Sequence, residues 1–287
     1  MAENGAKRIR LGMVGGGTGA FIGYVHRVAA RIDGDYDLVA GALSSRPEVA
    51  RESGKNLGLA DDRIYTSYEE MAQKEAARPD GIQAVSIVTP NHMHFGPTKA
   101  FLEAGIHVIC DKPITSTLDD ARKLLEIKPK NGAKFLLTHN YTGYPLIRQA
   151  RELVASGALG KIRVIQVEYP QDWLTEATTD DNKQAAWRTD PARSGAGGAI
   201  GDIGTHAYNL ARFVTGLKTE AVSADLTAFV PGRQLDDNVH IMLRFEGGAK
   251  GMLWASQVAV GCENGLQLRV YGDKGSIEWR QDNPNYM

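Results

Sequence analysis

The most restrictive feature of this sequence is a glycine-rich turn between the first predicted strand and the first predicted helix. The segment MVGGGTGAFIG (13–23) follows an apolar strand at 8–14 and opens a helix at Phe21–Ile32. Glycine is needed where a chain turns tightly and where its backbone approaches a pyrophosphate, whose charge a helix N-terminus stabilises. The turn therefore predicts a dinucleotide-binding loop, and the alternative is a flexible turn without a ligand.

The register of this turn has two solutions. Gly15, Gly17 and Ala20 satisfy the pattern G-x-G-x-x-[GA], whereas Gly23 could serve as the third glycine of a lengthened loop. All four residues are predicted to contribute to cofactor binding.

The first half of the chain alternates strand and helix patterns. Near-continuous apolar strands separated by helices predict an α/β fold with a doubly wound parallel sheet covered on both faces. Further strands are expected at 36–43, 84–90, 106–110 and 133–138, and further helices at 47–57, 68–77, 92–104 and 117–127.

The second half changes to a period of two. Segments 239–245 and 266–271 alternate apolar and polar residues, which predicts a large, mostly antiparallel open sheet in an α+β domain. Helices are expected at 145–155 and 201–214. The predicted domains are 1–140 and 141–287, in agreement with about 100–200 residues per domain.

Composition excludes several classes of protein. The 287 residues carry a net charge of −1, without the basic excess typical of nucleic-acid binders. No apolar run approaches a membrane span, and the first residues lack the apolar core of a secretory signal. Two distant cysteines form neither a disulfide framework nor a metal site. We expect a cytoplasmic protein without a structural metal, a membrane or a nucleic-acid partner.

The residues after the second strand bear on the ribose. A carboxylate there favours NAD and a basic residue favours NADP. The sequence places Ser44, Ser45 and Arg46 at this point, and two hydroxyls with a guanidinium suit a 2′-phosphate. NADP is therefore favoured over NAD. The alternative is that Ser44 begins a turn and Arg46 is solvated.

Two loops follow later strands, at the edge where open α/β sheets bind ligands. CDKP (110–113) places Lys112 where its cation could stabilise a developing alkoxide, unless it is a surface lysine. TPNHMH (89–94) contains His92 and His94, for which polar capping is favoured over metal ligation.

The segment GAGGAIGDIGTH (195–206) places Asp202 and His206 four residues apart, on one face of a helix. Histidine suits proton transfer at neutral pH. The alternative is an N-cap aspartate and a packed core histidine.

The glycine turn, TPNHMH, CDKP and GGAIGDIGTH, in this order and spacing, resemble the Gfo/Idh/MocA family (glucose–fructose oxidoreductase, inositol dehydrogenase and rhizopine catabolism proteins). The resemblance implies a Rossmann domain followed by a substrate domain, which family members usually extend beyond the position of Met287, so the second domain is expected to be incomplete. It implies that Lys112, Asp202 and His206 are catalytic. Asp111 stands where the family usually has glutamate. The loop residues implied along the dinucleotide are Thr89, Pro90, Asn91, His94, Asp111 and Lys112.

The implied activity is an NAD(P)-dependent dehydrogenase that oxidises a hydroxyl of a sugar, cyclitol or related polyol. Substrate contacts are predicted for Tyr141, Trp187 and Arg188, although the last two could merely pack a loop. A redox-neutral glycosidase and a non-catalytic nucleotide sensor are the alternatives. A homodimer or homotetramer is expected through the second sheet, on the face that carries His240, Met242, Arg244, Met252 and Trp254.

Overall fold

In the computed structural model, which describes residues 7–177 and 182–287, the alternating first half of the chain forms a parallel sheet of five strands. The strand order is β2-β1-β3-β4-β5, and each neighbouring pair is parallel. This confirms the predicted parallel α/β sheet. The strands are β1 (Ile9–Gly15), β2 (Tyr36–Ala42), β3 (Ala84–Val88), β4 (His107–Cys110) and β5 (Phe135–Leu137).

Capping residues mark where several helices of the first unit begin and end. The Ser67 and Thr117 hydroxyls accept N–H groups of the first turns of α3 and α5, while Gly105 ends α4 in the left-handed region. The helix expected from residue 92 begins later, because a 3₁₀ turn (Asn91–Met93) precedes it. The helices are α1 (Phe21–Ile32), α2 (Pro47–Asn56), α3 (Tyr68–Ala77), α4 (Phe95–Ala104) and α5 (Leu118–Glu126).

Helix α1 turns polar side chains toward the sheet. Arg27 donates to the Gly16 carbonyl at 2.8 Å, and Nδ1 of His26 lies 2.8 Å from the Ser86 hydroxyl. Tyr24 and Ile32 of the same helix are exposed. The inward face of α1 therefore contacts the glycine turn and β3 through polar side chains, while Ile22 packs against an apolar cluster.

The second unit is built on a sheet of six strands in the order β11-β10-β6-β9-β8-β7. Only β6 and β9 pair in parallel, and the other neighbours are antiparallel, which confirms the predicted mostly antiparallel sheet. The strands are β6 (Ile162–Pro170), β7 (Thr219–Thr227), β8 (Asn238–Phe245), β9 (Lys250–Ser256), β10 (Gln267–Gly272) and β11 (Ser276–Arg280).

The core of this unit lies on the side of the sheet where α6 and α9 pack. Leu243, Phe245, Leu268 and Val270 are buried there, as their alternation predicts. Residues of β8 and β9 that point the other way pair as His240 with Trp254 and Met242 with Met252. The helices are α6 (Pro145–Ala155), α7 (Lys183–Arg188), α8 (Pro191–Ser194) and α9 (Thr205–Thr215).

The segment before α9 departs from the expected regular α-helix. Ile200–Gly204 forms a π-helical turn, in which the Thr205 N–H donates to the carbonyl of Ile200, five residues earlier. Such turns insert an extra residue per turn and are frequent at functional sites. Asp202 is therefore not an N-cap residue.

The two units extend over Met1–Thr138 and His139–Met287. Over the described part of the chain, the helices are too short or too polar to cross a membrane.

Candidate functional site

The glycine turn uses backbone conformations that other residues rarely adopt. Gly15, Gly16 and Gly19 have φ angles of 80°, 74° and 80°. A Cβ on Gly15 would lie 3.0 Å from the Val88 carbonyl oxygen. The turn therefore packs tightly against the end of β3, and side chains in its place would displace the backbone.

Gly23 lies at a close approach of α1 to the glycine turn. A Cβ on this residue would lie 2.4 Å from the Gly16 Cα, a separation that real side chains do not reach. Ala20, the other candidate, is the N-cap residue of α1. Gly23 thus permits the close approach of helix to turn that the third glycine of such loops provides.

Gly17 faces a neighbouring element rather than open space. Its N–H donates to the Leu43 carbonyl at 3.2 Å, and a Cβ would lie 2.7 Å from that oxygen. The Ser53 hydroxyl of α2 accepts the Thr18 N–H at 2.9 Å. A side chain at residue 17 would therefore separate the turn from β2 and α2.

The donor groups of the turn fit a pyrophosphate. The first-turn N–H groups of an α-helix lack partners within the helix and carry the positive end of its dipole. The first turn of α1 contains no acidic side chain. Phosphate oxygens would accept hydrogen bonds from these N–H groups, and no carboxylate in that turn competes with them. The residues present therefore fit the pyrophosphate of a dinucleotide.

The segment after β2 forms a turn with an exposed end. The Arg46 N–H donates to the Ser44 hydroxyl at 3.1 Å, and Arg46 is the N-cap residue of α2. Ser45 and the Arg46 side chain are exposed. Ser44 thus shapes the turn, as the alternative interpretation has it, while Arg46 is accessible to a ligand.

His94 joins the two loops at the ends of β3 and β4. Its Nδ1 lies 2.6 Å from the Pro113 carbonyl oxygen and its Nε2 lies 2.9 Å from the Thr89 carbonyl oxygen. Burial lowers the pKa of His94, against the opposing effect of these two carbonyls. Because both ring nitrogens face backbone carbonyls, His94 holds the loops together, and any effect on cofactor binding would act through Thr89, Pro90 and Asn91.

Asp111 faces the interior of the first unit. It accepts the Thr138 hydroxyl at 2.9 Å, and Nε2 of His26 lies 4.0 Å from the same carboxylate. Burial lowers the pKa of His26, while Asp111 opposes this effect. Lys112 is half-buried, and its peptide bond to Pro113 is cis. Sequence reasoning missed His26, and the only signal for it was a polar residue on the inward face of an apolar helix.

In the second unit, Asp202 is held by two side chains. Arg188 Nε donates at 3.1 Å and Gln257 Nε2 at 2.9 Å, both to the same carboxylate oxygen. The turn that carries Asp202 is fixed in turn by Asp236, which accepts the Gly198 and Ile200 N–H groups at 2.7 Å and 2.8 Å. Sequence reasoning missed Gln257 and Asp236, because neither lies in a motif near Asp202.

His206 is buried, at 7% exposure, against three aromatic rings. The Tyr141 ring meets it edge-on at a centroid distance of 4.8 Å, with His139 at 5.8 Å and Tyr169 at 6.3 Å. The Tyr141 and Tyr169 hydroxyls are hydrogen-bonded to each other, and burial raises the pKa of Tyr169. Tyr141 therefore packs beside His206, and its hydroxyl is directed to Tyr169.

Trp187 and Arg188 lie together, as AAWR (185–188) suggests. The Arg188 guanidinium lies 4.2 Å from the Trp187 ring centroid and 5.7 Å from that of Trp173. Direct substrate contacts of Tyr141, Trp187 and Arg188 stay predictions, as do the cofactor contacts of the first unit. Within the described ranges, three or more His, Cys, Asp or Glu side chains do not converge on a metal-binding position.

Two family models match the chain. Residues 9–139 match an oxidoreductase family with an NAD-binding Rossmann fold, and residues 147–278 match the GFO/IDH/MocA C-terminal domain. The chain belongs to the Gfo/Idh/MocA oxidoreductase family. It is thus an oxidoreductase with an NAD-binding Rossmann fold, as its four motifs predict.

Individual relatives agree with this assignment. The oxidoreductase YfiI of Bacillus subtilis is 37% identical over 98% of this chain and 73% of its own length. A crystal structure of an oxidoreductase from Sinorhizobium meliloti is 56% identical with a TM-score of 0.87, covering 97% of this chain and 74% of that one. An inositol dehydrogenase homolog from Azotobacter vinelandii, complexed with NADH and myo-inositol, is 39% identical with a TM-score of 0.90, covering 98% and 72%.

Proposed function

We propose that this protein is an NAD(P)-dependent dehydrogenase that oxidises a CH–OH group of a sugar, cyclitol or related polyol. The observation that carries the proposal is the pair Asp202 and His206, in which the carboxylate is fixed by Arg188 and Gln257 and the imidazole is buried among aromatic rings. The family assignment and the fit of the glycine turn to a pyrophosphate supply its other support.

Each catalytic residue has a distinct task in the proposed mechanism. His206 takes the proton of the substrate hydroxyl as general base. The Lys112 ammonium stabilises the oxygen as negative charge develops on it. Asp202 orients His206 or the substrate. When bound, NAD(P)⁺ supplies the hydride acceptor for the carbon that is oxidised.

A side chain of the second unit and one relative support the proposed substrate class. The Arg188 guanidinium lies over one face of the Trp187 ring, so a sugar or cyclitol would stack on the other face. The Azotobacter homolog is complexed with myo-inositol. A polyol is therefore the first class to test.

The test is a screen of sugars and inositols with NAD and NADP in parallel, following nicotinamide absorbance. We expect substrate-dependent NAD(P)H formation that is lost in His206→Asn and retained in His107→Asn, a matched change at an exposed histidine of β4. Release of an aglycone without net NAD(P)H would support the redox-neutral glycosidase. Nucleotide binding with no turnover of any substrate would support the sensor.

We also propose that Arg46 makes the protein favour NADP. An exposed guanidinium at the start of α2 suits a 2′-phosphate, and a charged contact of this type contributes about 1.5–3 kcal/mol. Arg46→Ala should weaken NADP by that amount and leave NAD unchanged, whereas Arg51→Ala, at an exposed residue of α2, should change neither. Equal losses for NAD and NADP would refute the proposal.

We further propose a homodimer or homotetramer formed through the outward face of the second sheet. Met242 is 64% exposed there and lies opposite Met252, beside the stacked rings of His240 and Trp254. Exposed apolar surface of this kind marks an interaction site. Light scattering at tens of micromolar should give a mass of two or four chains, and Met242→Lys should lower it. A monomeric wild type would contradict the proposal. A cytoplasmic location stays a prediction.

A further inference from the structure

Two side chains from distant parts of the chain converge on one oxygen of Asp202. Arg188 precedes it by 14 residues and Gln257 follows it by 55, and both donate to Oδ2. The ion pair is largely removed from solvent, with side-chain exposures of 21% for Arg188 and 13% for Asp202. Low exposure strengthens the interaction relative to a surface pair.

The Arg188 guanidinium is itself held in place. It lies over the Trp187 ring at 4.2 Å and near the Trp173 ring at 5.7 Å. Arginine is planar and permanently charged, and it stacks well on aromatic rings. The stack thus presents Nε to Asp202 with little freedom to turn elsewhere.

We infer that Arg188 and Gln257 are positioning residues that keep the Asp202 carboxylate ionised and hold it in one orientation. This inference rests on the proposed function, because it assigns the two residues to the same reaction. It gives Arg188 a task other than the direct substrate contact predicted from the sequence. Gln257 adds a neutral donor, so the two residues separate the effect of charge from the effect of orientation.

Other ionisable groups of the second unit lie on Asp202's own turn, on the helix that follows it, or on elements that contact them. His206 lies four residues further along the chain, and Tyr169 is close enough for Asp202 to help raise its pKa. Asp236 holds the Ile200 N–H in the same turn. Of these groups, Arg188 carries the fixed positive charge. Removal of the Arg188 charge should therefore raise the pKa of the Asp202 carboxyl group, because the groups that remain near it do not replace that charge.

The decisive experiment follows the Asp202 carboxyl carbon by NMR during a pH titration of the whole chain without cofactor or substrate. Asp202→Asn assigns the signal. In Arg188→Gln the titration midpoint should move to higher pH by about one unit or more. Arg188→Lys keeps the positive charge, so its midpoint should lie close to that of the wild type. Gln257→Leu should raise the midpoint by less than Arg188→Gln does.

Arg280→Gln is the matched control, since Arg280 Nε pairs with Glu278 at 3.3 Å on the exposed face of β11. It should leave the Asp202 midpoint unchanged. An unchanged midpoint in Arg188→Gln would overturn the inference, whatever the activity of that variant.

The steady-state kinetics of Arg188→Gln provide a second test of the inference. If Arg188 positions Asp202, Arg188→Gln should lower kcat and move the acidic limb of its pH profile upward, with KM nearly unchanged. A rise in KM alone, with the NMR midpoint unmoved, would instead make Arg188 a substrate-binding residue and contradict the inference. If the wild type oxidises no polyol but the midpoint shifts, the proposed function fails while the positioning of Asp202 stands.

Discussion

The two units hold their candidate site residues by different means. In the first unit the contacts are largely with backbone: Gly23 abuts Gly16, Gly17 donates to the Leu43 carbonyl, and His94 lies between two carbonyls. In the second unit side chains hold one another, as Arg188 and Gln257 hold Asp202. Substitutions in the glycine turn of the first unit should therefore act through steric displacement, and those around Asp202 in the second through charge and orientation.

The largest stability effect is expected at a buried ion pair of the first unit. Glu75 accepts the Arg63 guanidinium, the Tyr65 hydroxyl at 2.8 Å and the Ile82 N–H at 3.0 Å. Glu75→Gln removes the buried counter-charge of Arg63 and leaves only the exposed Asp80 carboxylate, at 3.7 Å. The free energy of unfolding should therefore fall by about 3–5 kcal/mol in urea titrations.

Glu70→Gln is the control for this effect, because Glu70 pairs with Lys74 on the exposed side of α3. It should cost less than about 1 kcal/mol. Equal losses of stability in Glu75→Gln and Glu70→Gln would show that the buried Arg63–Glu75 pair contributes no more than an exposed pair.

Gly23→Ala tests whether the close packing of α1 on the glycine turn is required. Gly23→Ala should push α1 away from the glycine turn, with a cost of about 1–3 kcal/mol in stability and roughly tenfold weaker NAD(P) binding. Gly143→Ala, in the second unit, meets open space and should change stability by less than about 0.5 kcal/mol. Fluorescence titration with NADH measures the affinity. Normal NADH binding by Gly23→Ala would mean that the close packing of α1 is dispensable.

A smaller effect is expected from pH in the first unit. Burial lowers the pKa of His26 and of His94 in the folded chain, whereas an unfolded histidine titrates near 6.5. Protonation therefore favours unfolding, and stability present above about pH 6.5 is lost as the pH falls. Each histidine adds a slope of at most about 1.4 kcal/mol per pH unit.

Hydrogen exchange of peptides from β1 and β3, compared between pH 7 and pH 5, measures this loss. His26→Gln should reduce the pH dependence, because it removes one of the two protonation sites. An unchanged dependence in that variant would show that His26 contributes nothing to it.

Local pattern predicted much of the fold. The bounds of α1, α3 and α6 agree with prediction because caps, glycines and Pro145 act within a few residues of each helix end. The turn Ile200–Gly204 was not predicted as π-helical, since Asp236, 34 residues beyond Asp202, fixes its first N–H groups. Sequence periodicity carries no record of such a contact.

The residues of the candidate site also fall into two groups: those that a contiguous motif predicts and those that only the fold reveals. Motifs of contiguous residues located Lys112, Asp202 and His206, while Gln257 and His26 became visible only when the fold joined them to Asp202 and Asp111. The close approach of Gly23 to Gly16 likewise became visible only in the fold. Residues that act through distant partners are therefore those that sequence reasoning missed.

The central claim is that the first unit binds the cofactor and the second supplies the proton chemistry. It is tested most directly by kcat of His206→Asn together with its NAD(P)H affinity, measured in the same preparation. Removal of a general base typically costs about 10²–10⁴ in rate, so kcat should fall by that factor while the affinity stays within about twofold of wild type. Near-normal kcat in His206→Asn would contradict the claim and make His206 a packed core residue.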